Sequence, residues 1–355
     1  PKTPSQRPLD VETLWQLQRI GSVAVAPDGA RVVCSVIRYS MEDNRARSGL
    51  WLLSTLGGAP RALTTCGEKD GQPAWTADGK GLVFVSWLWP DERGAAAQSR
   101  RWKAEKDRRE TGYVTEEGQY RYWDHSLPQG RVPRLCLLQL ASGRVSDLFE
   151  GTPLCLPLEE PGTQHFALSP DGRHIAFVHN PAVPRLAGQR LALLEMDLKT
   201  RRVRTLHDAH PWDFTGPRYS PDGQRLAVVA ARTGEHHTAF GQVAVLERGR
   251  AWDGQVHPTA QDVQTGLRWT ADARNLLFTA EERGRCHVWR LDLDSGSTHI
   301  ECRGGSVQGF DLAPGSEQVV TLADAAMHPA RVHVHTPGQA PRRIESFNDE
   351  VLSRV

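Results

Sequence analysis

The sequence predicts an all-β chain folded as a β-propeller of four-stranded antiparallel blades, from a recurring turn, its interval, and the apolar runs that follow it. The tetrapeptide SPDG stands at Ser169–Gly172 and again at Ser220–Gly223. Weaker copies read APDG at 26–29, TADG at 76–79, TADA at 270–273 and APGS at 313–316. The six turns begin at 26, 76, 169, 220, 270 and 313, at intervals of 50, 93, 51, 50 and 43 residues, a period close to that of a propeller blade. In such a turn Pro presets φ at the first corner, Asp bonds to nearby backbone, and Gly accepts the positive φ that closes a tight hairpin.

After the turns come RVVCSVI, GLVFVSW, HIAFVHN, RLAVVAA, NLLFTAE and QVVTLAD. These runs are apolar on both faces, as a strand must be when its sheet is sandwiched between neighbouring sheets. A second hairpin follows in each unit, as in LWLLSTLGGAPRAL and HVWRLDLDSGSTHI, with a polar or Gly-bearing turn at its centre. Four strands that cannot bury both faces alone stack radially. Trp51, Trp75, Trp269 and Trp289 fall at corresponding strand positions and are expected to pack between blades.

Three segments stand outside the repeat. LDVETLWQLQRIG reads as a short helix, with Asp10 as N-cap, Val11, Leu14, Trp15 and Ile20 as apolar contacts, and Gly21 ending it. The long interval holds an insertion at about 87–132. Within it, 91–117 interleaves Arg93, Arg100, Arg101, Lys103, Lys106, Arg108 and Arg109 with Asp91, Glu92, Glu105, Asp107, Glu110, Glu116 and Glu117. That balance predicts a solvated helix or a mobile loop on one rim. The division is thus a lead-in over 1–21, a propeller over 22–345 and a tail over 346–355 that leaves the last blade without a Gly or Pro stop signal.

At 355 residues the chain is long enough for a sizeable core. Lys and Arg total 43 against 42 for Asp and Glu, a net +1, so charge points to neither nucleic acid nor a membrane surface. The cysteines Cys34, Cys66, Cys136, Cys155, Cys286 and Cys302 are scattered, with no C-x-x-C pair, and read as reduced, mostly buried thiols. No apolar run approaches a membrane span, and PKTPSQRPLDVETLWQL lacks a signal peptide's apolar core. The expectation is a soluble cytoplasmic protein without a cofactor; a homo-oligomer is left open.

The sequence carries no complete catalytic motif. No serine has Gly at both −2 and +2, as the nucleophile elbow of α/β-hydrolases requires; around Ser306, GGSVQG has Gln308 in place of the second Gly. There is no P-loop and no H-E-x-x-H zinc site. His333 and His335 share one strand face and His236 and His237 sit in a loop, but neither pair has an associated carboxylate or Cys ligand set. The acidic pairs Glu116–Glu117, Glu159–Glu160 and Glu281–Glu282 have the charge to hold a substrate's free amine, and the first pair lies on the insertion. With Arg121, Tyr122, Trp123 and Asp124 of the same insertion, Glu116 and Glu117 are the candidate substrate contacts; solvated loop charge and anchoring of the insertion are the plainer roles.

LWQLQRIGSVAVAPDG at the N-terminus, the SPDG-type blades, an insertion ending YRYWDHSLPQGRVPRLCLLQLASGRV and the tail ESFNDEVLSRV together resemble the propeller half of prolyl oligopeptidase family serine peptidases, the acylaminoacyl-peptidase branch in particular. The resemblance covers essentially the whole chain. It implies a propeller that caps an α/β-hydrolase domain and restricts access to that domain's Ser-Asp-His triad, admitting short or N-acylated peptides. By the same resemblance ESFNDEVLSRV is a hinge toward a hydrolase domain beyond Val355, and this chain alone is inactive. Family propellers usually have seven blades where six turns are counted here, which implies either a shorter ring or a blade missing near Ser86 and Trp87. Two other readings remain: a free-standing TolB- or WD40-like propeller that binds a peptide or protein, and a propeller hydrolase or lyase with carboxylates and His in its channel.

Overall fold

A computed structural model describes residues 8–355 except 43, 65–68, 111, 117, 124, 128–129, 182–189, 209–210, 234–239, 260 and 304. Its strands form six consecutive antiparallel sheets arranged as the blades of a ring. Blade one comprises Arg19–Val25, Arg31–Ser40, Arg45–Ser54 and Arg61–Ala62. Blade two takes Gly71–Trp75, Gly81–Leu88, Val132–Gln139 and Val145–Asp147; blade three, Phe166–Leu168, His174–His179, Ala192–Asp197 and Val203–His207. Blade four has Trp212–Tyr219, Arg225–Arg232 and Gln242–Glu247. Blade five has Thr265–Trp269, Asn275–Glu282, Arg285–Asp292 and Thr298–Cys302, and blade six Ser306–Leu312, Val319–Ala325, His328–His335 and Arg342–Arg343.

The repeated turn builds the inner hairpin of every blade. In all six the residue at the fourth position donates its N–H to the carbonyl of the first, from Gly29 to Ala26 through Ser316 to Ala313, at 2.8–3.1 Å. The Asp side chain caps the backbone two residues on, as Asp171 Oδ1 does for the N–H of Arg173 at 3.0 Å. The positive φ falls on Gly29, Gly79, Gly172 and Gly223, and in the fifth turn on Ala273 at 56°. In the sixth it moves one residue earlier, to Gly315, which is why APGS keeps the hairpin length without the Asp-Gly pair.

Six apolar cores lie between the blades, one at each interface. Successive residues of one strand enter opposite cores: Val32 packs toward blade six and Val33 toward blade two, Leu82 toward blade one and Val83 toward blade three. This is the two-sided burial expected of the runs after the turns. The four tryptophans divide into two classes instead of sharing one position. Trp75 and Trp269 end innermost strands, and each donates its indole N–H to the preceding blade, to Ala24 O at 3.1 Å and Arg218 O at 2.9 Å. Arg31 and Arg225 of those preceding blades lie 4.7 Å over the two rings. Trp51 and Trp289 sit on third strands.

The ring departs from expectation in three places. Blade four has three strands among the described residues, followed by one isolated bridge from Val243 to His257. Here Gly249 and Gly254 at positive φ and Pro258 break the strand, while Trp252 turns inward against Phe214 and Trp212, at 4.9 and 5.3 Å between ring centres. Second, no blade is missing near Ser86 and Trp87. Both lie in Gly81–Leu88, which pairs without interruption from Gly81–Gln139 to Leu88–Val132, so the insertion is a long connection inside blade two and a six-bladed ring closes. Third, the N-terminal helix is Val11–Gln16, capped by Asp10, whose Oδ1 accepts from the N–H of Thr13 at 2.8 Å. Gly21 does not end it but lies in the first strand, where a Cβ would stand 2.4 Å from Ser35 Oγ.

Blades follow the chain in order, so among the described residues no strand is shared between the first and last blades. The seam is closed by the core joining Ile20, Val32 and Leu53 to Val320, Val332 and Ile344, and by polar contacts between Gln18 and the stretch Phe347–Asn348.

Candidate functional site

The innermost strands surround a central channel whose turn-side end is a cavity of about 370 Å³. It is rimmed by the second residue of each turn: Pro27, Ala77, Pro170, Pro221, Ala271 and Pro314. Neighbouring turns lie close together, since a Cβ on Gly79 would lie 3.7 Å from Pro27 and one on Gly223 3.7 Å from Pro170.

Every blade interface is bridged by a hydrogen bond beside this channel. The N–H of Gln72 donates to Ser22 Oγ at 3.0 Å, and the N–H of Thr163 to Gln72 Oε1 at 3.3 Å. Arg218 donates to the carbonyls of Thr163 at 2.8 Å and Phe166 at 2.7 Å. The indole of Trp269 donates to Arg218 O, Arg268 is paired with Asp311 Oδ1, and Asp311 Oδ2 accepts from the N–H of Val25 at 2.7 Å. A belt of this kind fixes the bore of the ring, because widening it breaks a part-buried bond at each seam.

Charge in the cavity is confined to one side. The residue two places before each turn lines it, and around the ring these are Ala24, Ala74, Ala167, Arg218, Arg268 and Asp311. Sequence reasoning missed the last three, although comparing this one position across all six repeats exposes them. Burial, and then repulsion from Arg268, push the Arg218 pKa down, against the pull of Asp311.

Two further polar clusters brace the ring. Glu195, 3% exposed, accepts from Tyr219 Oη at 2.7 Å, Arg204 Nε at 2.7 Å and Arg248 Nη2 at 3.2 Å. Burial raises its pKa, but the Tyr219 hydroxyl and the two guanidiniums outweigh that and hold it below the usual carboxylate range. Arg134 is fully buried and donates to Asp147 at 3.0 Å and to the carbonyls of Thr152, Leu154 and Phe149. It thereby folds the segment after blade two onto that blade.

The insertion leaves the ring between second and third strands, on the face where the first strand starts at Arg19 and the last ends at Arg343, opposite the turns. Its helix, Gly94–Lys106, has no buried side chain. It is anchored by Gln98, which bonds both the N–H and the carbonyl of Trp89, and by Trp89, 5% exposed, with Arg101 and Arg131 at 5.1 and 5.2 Å over its ring.

Of the sequence candidates, Arg121 and Tyr122 pair with His125 and Ser126 in a two-stranded hairpin. Arg121 donates twice to Trp123 O, at 2.7 and 3.1 Å, so its guanidinium braces its own turn. Trp123 is 79% exposed with its edge toward Tyr122, and Glu116 is exposed. Glu117 and Asp124, like His236, His237 and Cys66, lie outside the described residues. Glu159 accepts from Gln119, while Glu281 and Glu282 end the second strand of blade five. His335 Nε2 pairs with Thr321 Oγ1 at 2.8 Å, and burial pushes His333 and His335 down. Among the described residues no group of three or more His, Cys, Asp or Glu is placed to hold a metal. No helix there is long and apolar enough to cross a membrane.

No protein-family model matches the chain. Among curated proteins it is 22% identical over 336 residues to dipeptidyl-peptidase 5 of Porphyromonas gingivalis, covering 81% of this chain and 48% of that protein. It is 26% identical over 215 residues to the acylamino-acid-releasing enzyme of Sus scrofa, covering 54% and 28%. The chain thus spans about half the length of the Porphyromonas relative. Among solved structures, Pyrococcus horikoshii acylaminoacyl peptidase matches with a TM-score of 0.60 at 11% identity, over 98% of this chain and 55% of that one. The propeller domain of the Trilobed protease from Pyrococcus furiosus, described as having an open velcro topology, gives 0.56 at 11%, over 94% and 99%. TolB from Acinetobacter baumannii gives 0.56 at 16%, over 87% and 61%. At such identities the structural likeness establishes the propeller fold. The likeness to peptidase propellers read from the sequence has curated relatives behind it, named as peptidases.

Proposed function

We propose that the chain is the substrate-gating propeller of a serine peptidase acting on short or N-acylated peptides, working with an α/β-hydrolase catalytic domain in cis. The observation that carries this reading is the match to dipeptidyl-peptidase 5 across 81% of this chain but only 48% of that relative. A ring of fixed bore supports it, since a folded protein does not pass a channel belted by hydrogen bonds at every seam. In this reading the catalytic domain sits on the face that carries Gln18, Asn348 and the insertion. Glu116, Arg121, Tyr122 and Trp123 then stand at the substrate's approach, with Arg121 holding the hairpin in shape.

The test is the size and reactivity of the polypeptide in its natural source, detected with an antibody raised against this chain. A band heavier than 39.4 kDa by a domain of roughly 250 residues, and labelled by a fluorophosphonate probe, is the expected result. An unlabelled band at 39.4 kDa rejects it in favour of a free-standing TolB-like binding propeller.

A further inference from the structure

We propose that the turn-side end of the channel is a binding site for a compact organic carboxylate, with Arg218 and Arg268 receiving the anion and the aromatic and proline wall holding its apolar body. The inference is independent of the peptidase reading. Two guanidiniums and a single carboxylate, Asp311, face this cavity at the position two before the turn, and the corresponding residues of blades one to three are alanines. Asp311 is already engaged by Arg268 Nε and the N–H of Val25. Arg218 is satisfied only by carbonyl oxygens, those of Thr163, Phe166 and Pro217. Asp311 is thus the one counter-charge for two guanidiniums, and because an uncompensated desolvated cation is costly, one net positive charge awaits compensation.

Geometry supplies the rest. Arg218 Nε and Arg268 Nη2 have no hydrogen-bond partner among the described residues. The three alanines opposite leave the space that three larger side chains would fill. The volume, about 370 Å³, lies within the range of small-ligand pockets, about 300–1,000 Å³. Trp75 and Trp269 are held in place on its wall by their indole hydrogen bonds and the stacked Arg31 and Arg225. The turns rim this end of the channel, on the face away from the insertion, so the site lies apart from any domain that covers the opposite face.

The test is calorimetric titration of the 355-residue chain with 3-phenylpropanoate and with its neutral amide. The carboxylate is expected to bind at least about tenfold tighter, the difference of one charge-assisted contact. Arg268→Gln should weaken it about tenfold. Asp311→Asn keeps an acceptor for Val25 N–H but frees Arg268, and should tighten it. Gly-Gly-Phe against its C-terminal amide separates the sources: tight binding of the free peptide acid identifies a peptide end as ligand, and binding of 3-phenylpropanoate alone identifies a free acid. Equal binding of acid and amide, or no binding of either, overturns the proposal. So does a folded Asp311→Asn variant that binds no tighter than the parent; if that variant fails to fold, the acid–amide contrast on the parent decides.

Discussion

Gln18 and Asn348, 330 positions apart, are joined through both halves of one amide: the N–H of Gln18 donates to Asn348 Oδ1 at 2.8 Å, and Asn348 Nδ2 donates to Gln18 O at 2.9 Å. The Gln18 side chain adds a bond from Nε2 to Phe347 O at 3.0 Å and accepts from Arg38 Nε at 3.0 Å. The first residue before the ring and the first turn after it are therefore tied side by side.

Asn348→Ala removes both amide bonds and leaves the Gln18 N–H and carbonyl without these partners at a site where Asn348 is 3% exposed. The expected loss is about 1–3 kcal/mol, read as a lower urea midpoint with an unchanged slope. No change in midpoint would mean that the apolar core alone closes the seam.

The fifth turn places Ala273 at φ 56° where four sister turns have Gly. Ala273→Gly relieves a left-handed conformation that costs a non-glycine residue about 1 kcal/mol, and should raise stability by up to that amount. Gly223→Ala, at φ 69°, should lower it by a similar amount. Thermal unfolding of the two variants beside the parent checks the opposite signs.

His165 is a buried base whose Nδ1 accepts from the N–H of Gly162 at 3.2 Å, and burial pushes its pKa from 6.5 to about 4. The unfolded chain takes up this proton near pH 6.5 and the folded chain only near 4. The contribution of neutral His165 is thus fully present above pH 6.5, is lost as pH falls toward 4, and amounts to about 3 kcal/mol. In His165→Asn, which retains an acceptor, the stability difference from the parent should shrink or reverse as pH falls across that window; a constant difference would reject this account.

The turns were legible because their chemistry is local: Asp28, Asp78, Asp171, Asp222 and Asp272 each act within two residues of themselves. The alternation of cores was legible because a strand covered on both faces has no polar side. What was hidden depends on packing between distant segments. Nothing adjacent in sequence shows that Trp252 packs against the core between blades three and four, or that Ser35 crowds the backbone at Gly21. Arg134, Glu195 and the channel triad are ordinary surface residue types until the ring is closed. The rim candidates stand out in the sequence by the insertion's departure from the repeat, and their placement on the face away from the turns follows from strand order alone.

A ring that shares no strand between its first and last blades also has a mechanical weak point. Pulling the two chain ends apart loads the amide clasp at Gln18 and Asn348 directly, before tension reaches the ladder of any blade. The seam between blades six and one is the joint that no connecting segment of this chain spans, so traction on the two ends is carried there by the clasp, the Val25–Asp311 bond and the apolar core.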